Sequence, residues 1–401
     1  MGAHHTMIGI RADANRIIAS GHVMRCITVA KQVCALGGEV TFFMADEESE
    51  KLFNDFSKDI PEAKAVVLGS NWQDMEGELP RLKKEILARS IDFLLVDSYK
   101  VTIRYFDELS KVCRTAYMDD LGKEAYPVNI LINYSGFYEM LGYDRLYEGV
   151  CGFGGEKTRL LTGLLYAPLR EQFSEPENSG KSGYEVSDKV RKSTLEKQGH
   201  FDILLAAGGA DMYGMLLGVL KELESCGLIS PVCSDDSPDK PGDVDKAASY
   251  SVTVHTVAGS LVSNIEEIRS FASSHEHVYV HERVTNMAEL MSCCDFAVSA
   301  AGTMLTECAA KKLPVIFYQV ADNQKLNAEF WQKSGGMLFA GDVTERGASS
   351  RQVLGTICRM VRDICEDPCR IDSMSRALEG LTDGRGAQRI AKELLRDSLM
   401  S

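Results

Sequence analysis

His22 is the only histidine between residues 6 and 199, and it lies in the run Ser20-Gly21-His22-Val23-Met24-Arg25-Cys26. Upstream stands the triplet Arg11-Ala12-Asp13, directly after the short apolar stretch Ile8-Gly9-Ile10. A strand that ends in charged residues, a polar loop and a helix opening Ser-Gly-His put an imidazole beside the exposed amides of a first helical turn. Such amides suit an anion, and imidazole suits proton transfer near neutral pH. If this half of the chain supplies an imidazole base, His22 is the sole candidate. The alternative is a helix start that carries a surface histidine. Arg11, Ser20, Gly21 and Arg25 are the binding candidates around it, with Asp97 and Tyr99 at the end of a later apolar run.

The second half repeats the strand–glycine–helix logic twice. Gly208-Gly209-Ala210-Asp211 follows Phe201 to Ala207, and glycines let backbone approach a phosphate that helix amides can bind. A tight turn reads equally well. Ala300-Ala301-Gly302-Thr303 opens another helix, with Glu307 one turn in, where a carboxylate could accept both hydroxyls of a ribose. Asp322-Asn323-Gln324 places amides where a strand runs into a helix. Other motifs fail. Gly152 to Thr158 lacks the Gly-Lys-Ser/Thr ending of a P-loop, and His275-Glu276-His277 with His281 is not the zinc pattern of two histidines a helical turn apart. Asp119-Asp120 reads as a cap or a hydrogen bond to substrate rather than a metal site. No metal and no cofactor is expected.

The elements that must hold these residues are strand–helix repeats. Val40 to Phe43, Ala65 to Leu68, Phe93 to Val96, Thr115 to Met118 and Asn129 to Ile132 are apolar runs without alternation, which predicts a parallel sheet covered on both faces. The helix after the first strand is expected over Val23 to Leu36. Residues 174–199 read as a linker. The pattern then restarts with strands at 201–207, 278–280, 296–298 and 315–317 and helices at 212–223, 287–292, 304–310 and 326–334. The acidic segment 234–246 reads as a solvated loop and the tail from Gln352 as helical. The expectation is therefore α/β, with two Rossmann-like domains whose parallel sheets face a cleft. The boundaries are 1–173, a linker at 174–199, and 200–401.

Length and charge narrow the partners. The chain has 401 residues, enough for two or three domains at roughly 150 residues each. With 44 Lys and Arg against 58 Asp and Glu, the net charge of −14 disfavours nucleic acid and anionic membranes. A cytoplasmic, metal-independent protein, monomeric or weakly dimeric, is expected. Its twelve cysteines lack metal or disulfide spacing and are expected to be reduced, buried thiols.

Taken in order, the motifs resemble one family. Ile10 to Asp13 with Ser20 to Cys26 is similar to the amino-terminal signature of the UDP-2,4-diacetamido-2,4,6-trideoxy-β-L-altropyranose hydrolases of pseudaminic acid biosynthesis. Val96-Asp97-Ser98-Tyr99, Met118 to Leu121, Leu131 to Tyr134, Tyr166 to Arg170, Gly208 to Asp211, Asn286 to Met291, Ala301-Gly302-Thr303 with Glu307, and Ala321 to Gln324 follow in family order. The resemblance covers roughly residues 7 to 345, outside the linker and the acidic insertion. Ala19 stands where the family usually has Gly, and Met212 where Pro is common.

The resemblance implies a glycosyltransferase-B-like pair of domains and hydrolysis of a UDP-linked diacetamido sugar at its anomeric carbon. It implies His22 as general base and Asn323 as a substrate contact. The small-molecule partner would be the UDP-sugar. Physical chemistry accommodates this, because UDP leaves readily when helix N-termini and amides hold its developing charge. One base then suffices where ordinary glycosidases need two carboxylates. On this reading Asp13 positions the imidazole or a sugar hydroxyl, and the second domain grips UDP through Gly208, Gly209, Asp211, Ala301, Gly302, Thr303, Glu307, Asn323 and Gln324.

Overall fold

The computed structural model describes residues 6–15, 18, 21–60, 62–174, 199–232, 250–259, 261–344 and 350–396. Ser20, the interior of the expected linker and the acidic insertion 234–246 lie outside the described residues. The chain divides into two compact units, Met1–Ser174 with Asp383–Ser401, and Glu175–Thr382.

The first unit is built on seven parallel strands. They are β1 (Met7–Ala12), β2 (Glu39–Met44), β3 (Lys64–Val67), β4 (Phe93–Asp97), β5 (Arg114–Met118), β6 (Ile130–Asn133) and β7 (Arg159–Thr162). Their order in the sheet is β3-β2-β1-β4-β5-β6-β7. The inner strands are buried along their length, as their unbroken apolar sequences require: Ile8, Ile10, Phe42, Leu94, Leu95, Leu131 and Ile132 are fully buried. The chain winds outward from β1 in both directions, so the order reverses between β1 and β4. There Ala12 lies opposite Asp97. At such a switch point adjacent crossovers leave on opposite faces and open a crevice beyond the strand ends, where ligands bind.

The second unit repeats the plan with β8 (His200–Ala206), β9 (Ser251–Ala258), β10 (Val278–Glu282), β11 (Phe296–Ala300), β12 (Val315–Gln319) and β13 (Met337–Asp342), in the order β10-β9-β8-β11-β12-β13. Its switch point lies between β8 and β11. Strands β7, β9 and β13 are additions to the sequence expectation. β9 alternates, with Val252 and Val254 buried in the core and Thr253 and His255 on the opposite face, so it lacks the continuous apolar run of its neighbours.

The carboxyl-terminal boundary is a correction. Residues 200–401 do not form one domain, because Asp383–Ser401 belongs to the first unit. The helix Gly386–Leu394 buries Ala387, Ile390, Ala391 and Leu394 in the same core as Val23, Cys26, Ile27 and Val33 of α1 (Gly21–Ala35). Arg389 fastens this return, donating to Asp383 at 2.7 and 2.5 Å and to the Leu165 carbonyl at 2.9 Å. Among the thiols one pair stands close together: Cys226, which follows the helix Met215–Ser225, and Cys358 of the helix Ser350–Glu366, with Cα atoms 7.2 Å apart, beyond the span of an unstrained disulfide. Nine other described cysteines are free.

Candidate active site

In the first unit, α1 begins a few residues after β1, which brings His22 in its first turn to the carboxyl end of β4. There His22 Nδ1 lies 2.6 Å from Asp97 Oδ1. Arg25, one turn further along α1, donates from Nε to Asp97 Oδ2 and from a terminal nitrogen to Oδ1, both at 2.5 Å. Its other terminal nitrogen donates to the Tyr134 hydroxyl, and its guanidinium lies 5.4 Å from the centre of that ring. Asp97 is almost wholly buried, and the His22 side chain keeps one-tenth of its surface exposed.

These contacts determine the tautomer. Arginine only donates, so the guanidinium nitrogen 3.0 Å from Nδ1 is no acceptor for it. A carboxylate oxygen at 2.6 Å requires Nδ1 to carry the proton. In the neutral imidazole Nε2 then holds the lone pair, the arrangement a general base needs. Burial acts to raise the Asp97 carboxyl, but Arg25 and His22 together hold it well below the usual carboxylate range. Burial likewise opposes the Arg25 charge, and Asp97 overcomes it. Tyr99 packs edge-on against the imidazole, ring centres 4.9 Å apart, and donates its hydroxyl to Asp120 at 2.9 Å.

The expected roles of Asp13 and Arg11 are corrected by this geometry. Asp13 does not hold the imidazole; its oxygens accept from Arg11 at 2.6 Å and from the Ala45 amide at 2.7 Å. Arg11 has no exposed surface. Its guanidinium makes a two-pronged pair with Glu78, both bonds 2.7 Å, and Glu78 also accepts from Tyr105 and Ser70. Burial would lower the Arg11 pKa, yet Glu78 and Asp13 raise it well above the ordinary value. Arg11 and Asp13 are thus spent on a buried ion cluster with Glu78. Asp97 and Arg25, expected as ligand contacts, face His22 and each other. Gly21 opens α1, and a Cβ added there would meet no atom of the described residues within 4 Å. Tyr134 ends the family-like segment Leu131 to Tyr134 but was not among the expected site residues. A cavity of about 360 Å³ at the start of the helix Met75–Ala88 is lined by Ser70, Asp74, Glu78 and Arg81 and does not include His22.

In the second unit, the glycine turns follow β8 and β11, the two strands that flank its switch point. Gly208 takes the left-handed conformation (φ +78°), and a Cβ added at Gly209 would meet no atom of the described residues within 4 Å. Gly259, after β9, is required by close approach, since a Cβ there would stand 2.5 Å from the Gly209 carbonyl oxygen. Asp211 is a correction: its carboxylate accepts from the Met215 and Leu216 amides at 2.8 and 3.0 Å. It caps the very helix whose amides were expected to bind phosphate, and burial raises its carboxyl above the usual range despite those bonds. The Ala301 amide is spent on the Tyr318 carbonyl, and Asn327 donates to the Ala301 carbonyl at 3.0 Å. A Cβ added at Gly302 would meet no atom of the described residues within 4 Å, and Thr303 is exposed. Glu307 is half-buried on the short helix Met304–Ala310. Asn323 is exposed on the turn Asp322–Gln324, where Gln324 instead accepts from the Val320 amide at 2.9 Å. Among the described residues no group of three or more His, Cys, Asp or Glu side chains is disposed to hold a metal, and no helix is long and apolar enough to cross a membrane.

No family model matches the chain. It is similar to the UDP-2,4-diacetamido-2,4,6-trideoxy-beta-L-altropyranose hydrolase of Campylobacter jejuni, 21% identical over 327 residues that cover 81% of this chain and 96% of the relative. Among solved structures, MurG of Acinetobacter baumannii superposes with a TM-score of 0.63 at 11% identity, over 98% of this chain and 99% of that one. The UDP-GlcNAc 2-epimerase of Neisseria meningitidis, bound to UDP-GlcNAc, gives 0.57 at 14% identity, over 98% and 100%. MnaA of S. aureus in complex with UDP gives 0.58 at 12% identity, over 99% and 98%. The chain therefore has the two-unit α/β fold of the glycosyltransferase-B-like proteins, and its sequence resembles the UDP-2,4-diacetamido-2,4,6-trideoxy-β-L-altropyranose hydrolases.

Proposed function

We propose that this protein is an enzyme acting on UDP-sugars, and that its reaction is hydrolysis of a UDP-2,4-diacetamido-2,4,6-trideoxyhexose at the anomeric carbon, in nonulosonic (pseudaminic) acid biosynthesis. The observation that carries the reading is the His22–Asp97–Arg25 cluster at the switch point of the first unit. The likeness to a hydrolase of that name supports the substrate class, and the neighbours with bound UDP or UDP-GlcNAc support the nucleotide.

In this mechanism Nε2 of His22 takes a proton from water as its oxygen bonds to the anomeric carbon. The bond to the diphosphate oxygen breaks, and UDP leaves with that electron pair. Asp97 meets the positive charge that develops on the imidazole, and Arg25 keeps Asp97 ionised. A positioned base contributes about 10² to 10⁴ in rate. The glycine turns after β8 and β11, with Asn323, are the proposed holders of the nucleotide and its sugar. Direct displacement inverts the anomeric centre, and the chemistry calls for no metal.

The test is to incubate the protein with a panel of UDP-diacetamido sugars and follow the anomeric product by NMR. UDP and a free sugar of inverted configuration are expected without any acceptor and in the presence of EDTA. Release of UDP only when an acceptor is added would assign a glycosyltransferase instead, a reading the fold shared with MurG favours. Saturable binding with no turnover would assign a sensor. His22→Asn should keep UDP affinity and lose at least a hundredfold in turnover; a loss under tenfold would remove His22 as base.

A further inference from the structure

Two aspartates follow β5, and the fold uses them differently. Asp119 is turned into its own surroundings, accepting from the Leu121 and Gly122 amides at 2.9 and 3.1 Å and from the Tyr143 hydroxyl at 3.0 Å. Asp120 accepts from the Tyr99 hydroxyl on Oδ2, while its Oδ1 is buried and has no hydrogen-bond partner among the described residues. Leaving a buried acceptor unmatched is costly, and such an atom in a native protein calls for an explanation.

Position supplies one. β5 is the neighbour of β4, which ends in Asp97, and Tyr99 touches Asp120 through its hydroxyl and His22 through its ring. Asp120 is thus one side chain away from the imidazole. A carboxylate accepts and repels anions, so a diphosphate is not its partner. The partner must bring a donor, either a hydroxyl or an N–H. We propose that Asp120 is a specificity-determining residue whose Oδ1 accepts a hydrogen bond from an amide N–H or hydroxyl of the sugar held beside His22. This rests on the reading of the protein as a UDP-sugar enzyme.

Calorimetric titration of the wild type and Asp120→Ala with the UDP-diacetamido sugar and with UDP separates the outcomes. A hydrogen bond to a charged acceptor predicts that Asp120→Ala binds the sugar nucleotide about ten- to a hundredfold more weakly and UDP unchanged. Asp120→Asn should stay within about threefold of wild type, because the Tyr99 hydroxyl can accept from the new amide and leave its carbonyl toward the sugar. Equal affinity of wild type and Asp120→Ala for the sugar nucleotide overturns the proposal, as does an equal loss for UDP, which would point to the uracil N–H. Turnover is read separately. A wild type that binds but releases no UDP refutes hydrolysis and leaves the Asp120 comparison standing; one that binds no UDP-sugar overturns both. If Asp120→Ala does not fold, wild type is titrated with UDP-sugars lacking one donor at a time. No loss of tenfold with any of them overturns the assignment.

Discussion

Asp97→Asn is the perturbation that most directly probes the cluster, because it removes one charge and keeps the shape. The carboxylate accepts from the His22 Nδ1–H at 2.6 Å and from two Arg25 nitrogens at 2.5 Å. An amide can present only one oxygen to these three donors. If that oxygen stays with Arg25, the amide N–H₂ faces Nδ1 and drives the imidazole proton to Nε2. The lone pair then points away from water and the base is lost. The expected fall in kcat is therefore the worth of the base itself, about 10² to 10⁴. His22→Asn should cost about as much, and the double variant should be no slower than the worse single, since the pair acts as a unit. Single-turnover release of UDP, with UDP affinity measured alongside, is the assay. Asp97→Asn within tenfold of wild type in kcat, or losses that multiply in the double variant, would refute the positioning role.

The same residue makes stability depend on pH. The folded carboxyl lies well below the usual range, so its contribution is fully present above the unfolded value of about 3.9. It is lost as pH falls toward the folded value, so the stability gap between wild type and Asp97→Asn in denaturant melts should narrow below about pH 4. Arg11→Ala should destabilise the first unit by about 3–5 kcal/mol, because Glu78 and Asp13 would stay buried without their cation. Calorimetry checks this, and a change under about 1 kcal/mol would place Arg11 elsewhere. Gly259→Ala must push the Gly209 carbonyl away from a Cβ that would stand 2.5 Å from it. UDP affinity should fall about ten- to a hundredfold; unchanged UDP binding would remove the first glycine turn from the nucleotide site.

Much of the scaffold was legible because parallel strands buried on both faces write themselves as unbroken apolar runs, as at Phe93 to Val96 and Val315 to Phe317. β9 escaped because Thr253 and His255 break that run on one face. His22 was legible as an imidazole at a helix start, but its partner was not. Asp97 lies 75 residues away and meets His22 only because β1 and β4 are neighbours in the sheet. Arg11 and Asp13 misled for the opposite reason. Charges at a strand end read as ligand contacts, and only the side chain of Glu78, from a helix 67 residues on, reveals a buried ion cluster. Asp211 misled similarly, since a carboxylate just before a helix serves as well to cap it as to face a ligand. The carboxyl-terminal helix carries an ordinary amphipathic pattern, which states that a face is buried but not against which unit.

That last segment sets an order of events during synthesis. The amino-terminal half emerges first, yet the apolar surface of α1 waits for Ala387, Ile390 and Leu394 to cover it. The intervening unit, contiguous in the chain from 175 to 382, can finish folding while its predecessor is still incomplete. Nascent chains arrested before residue 386 would present a sticky, unfinished sheet-and-helix layer to chaperones, although the first-made residues include His22.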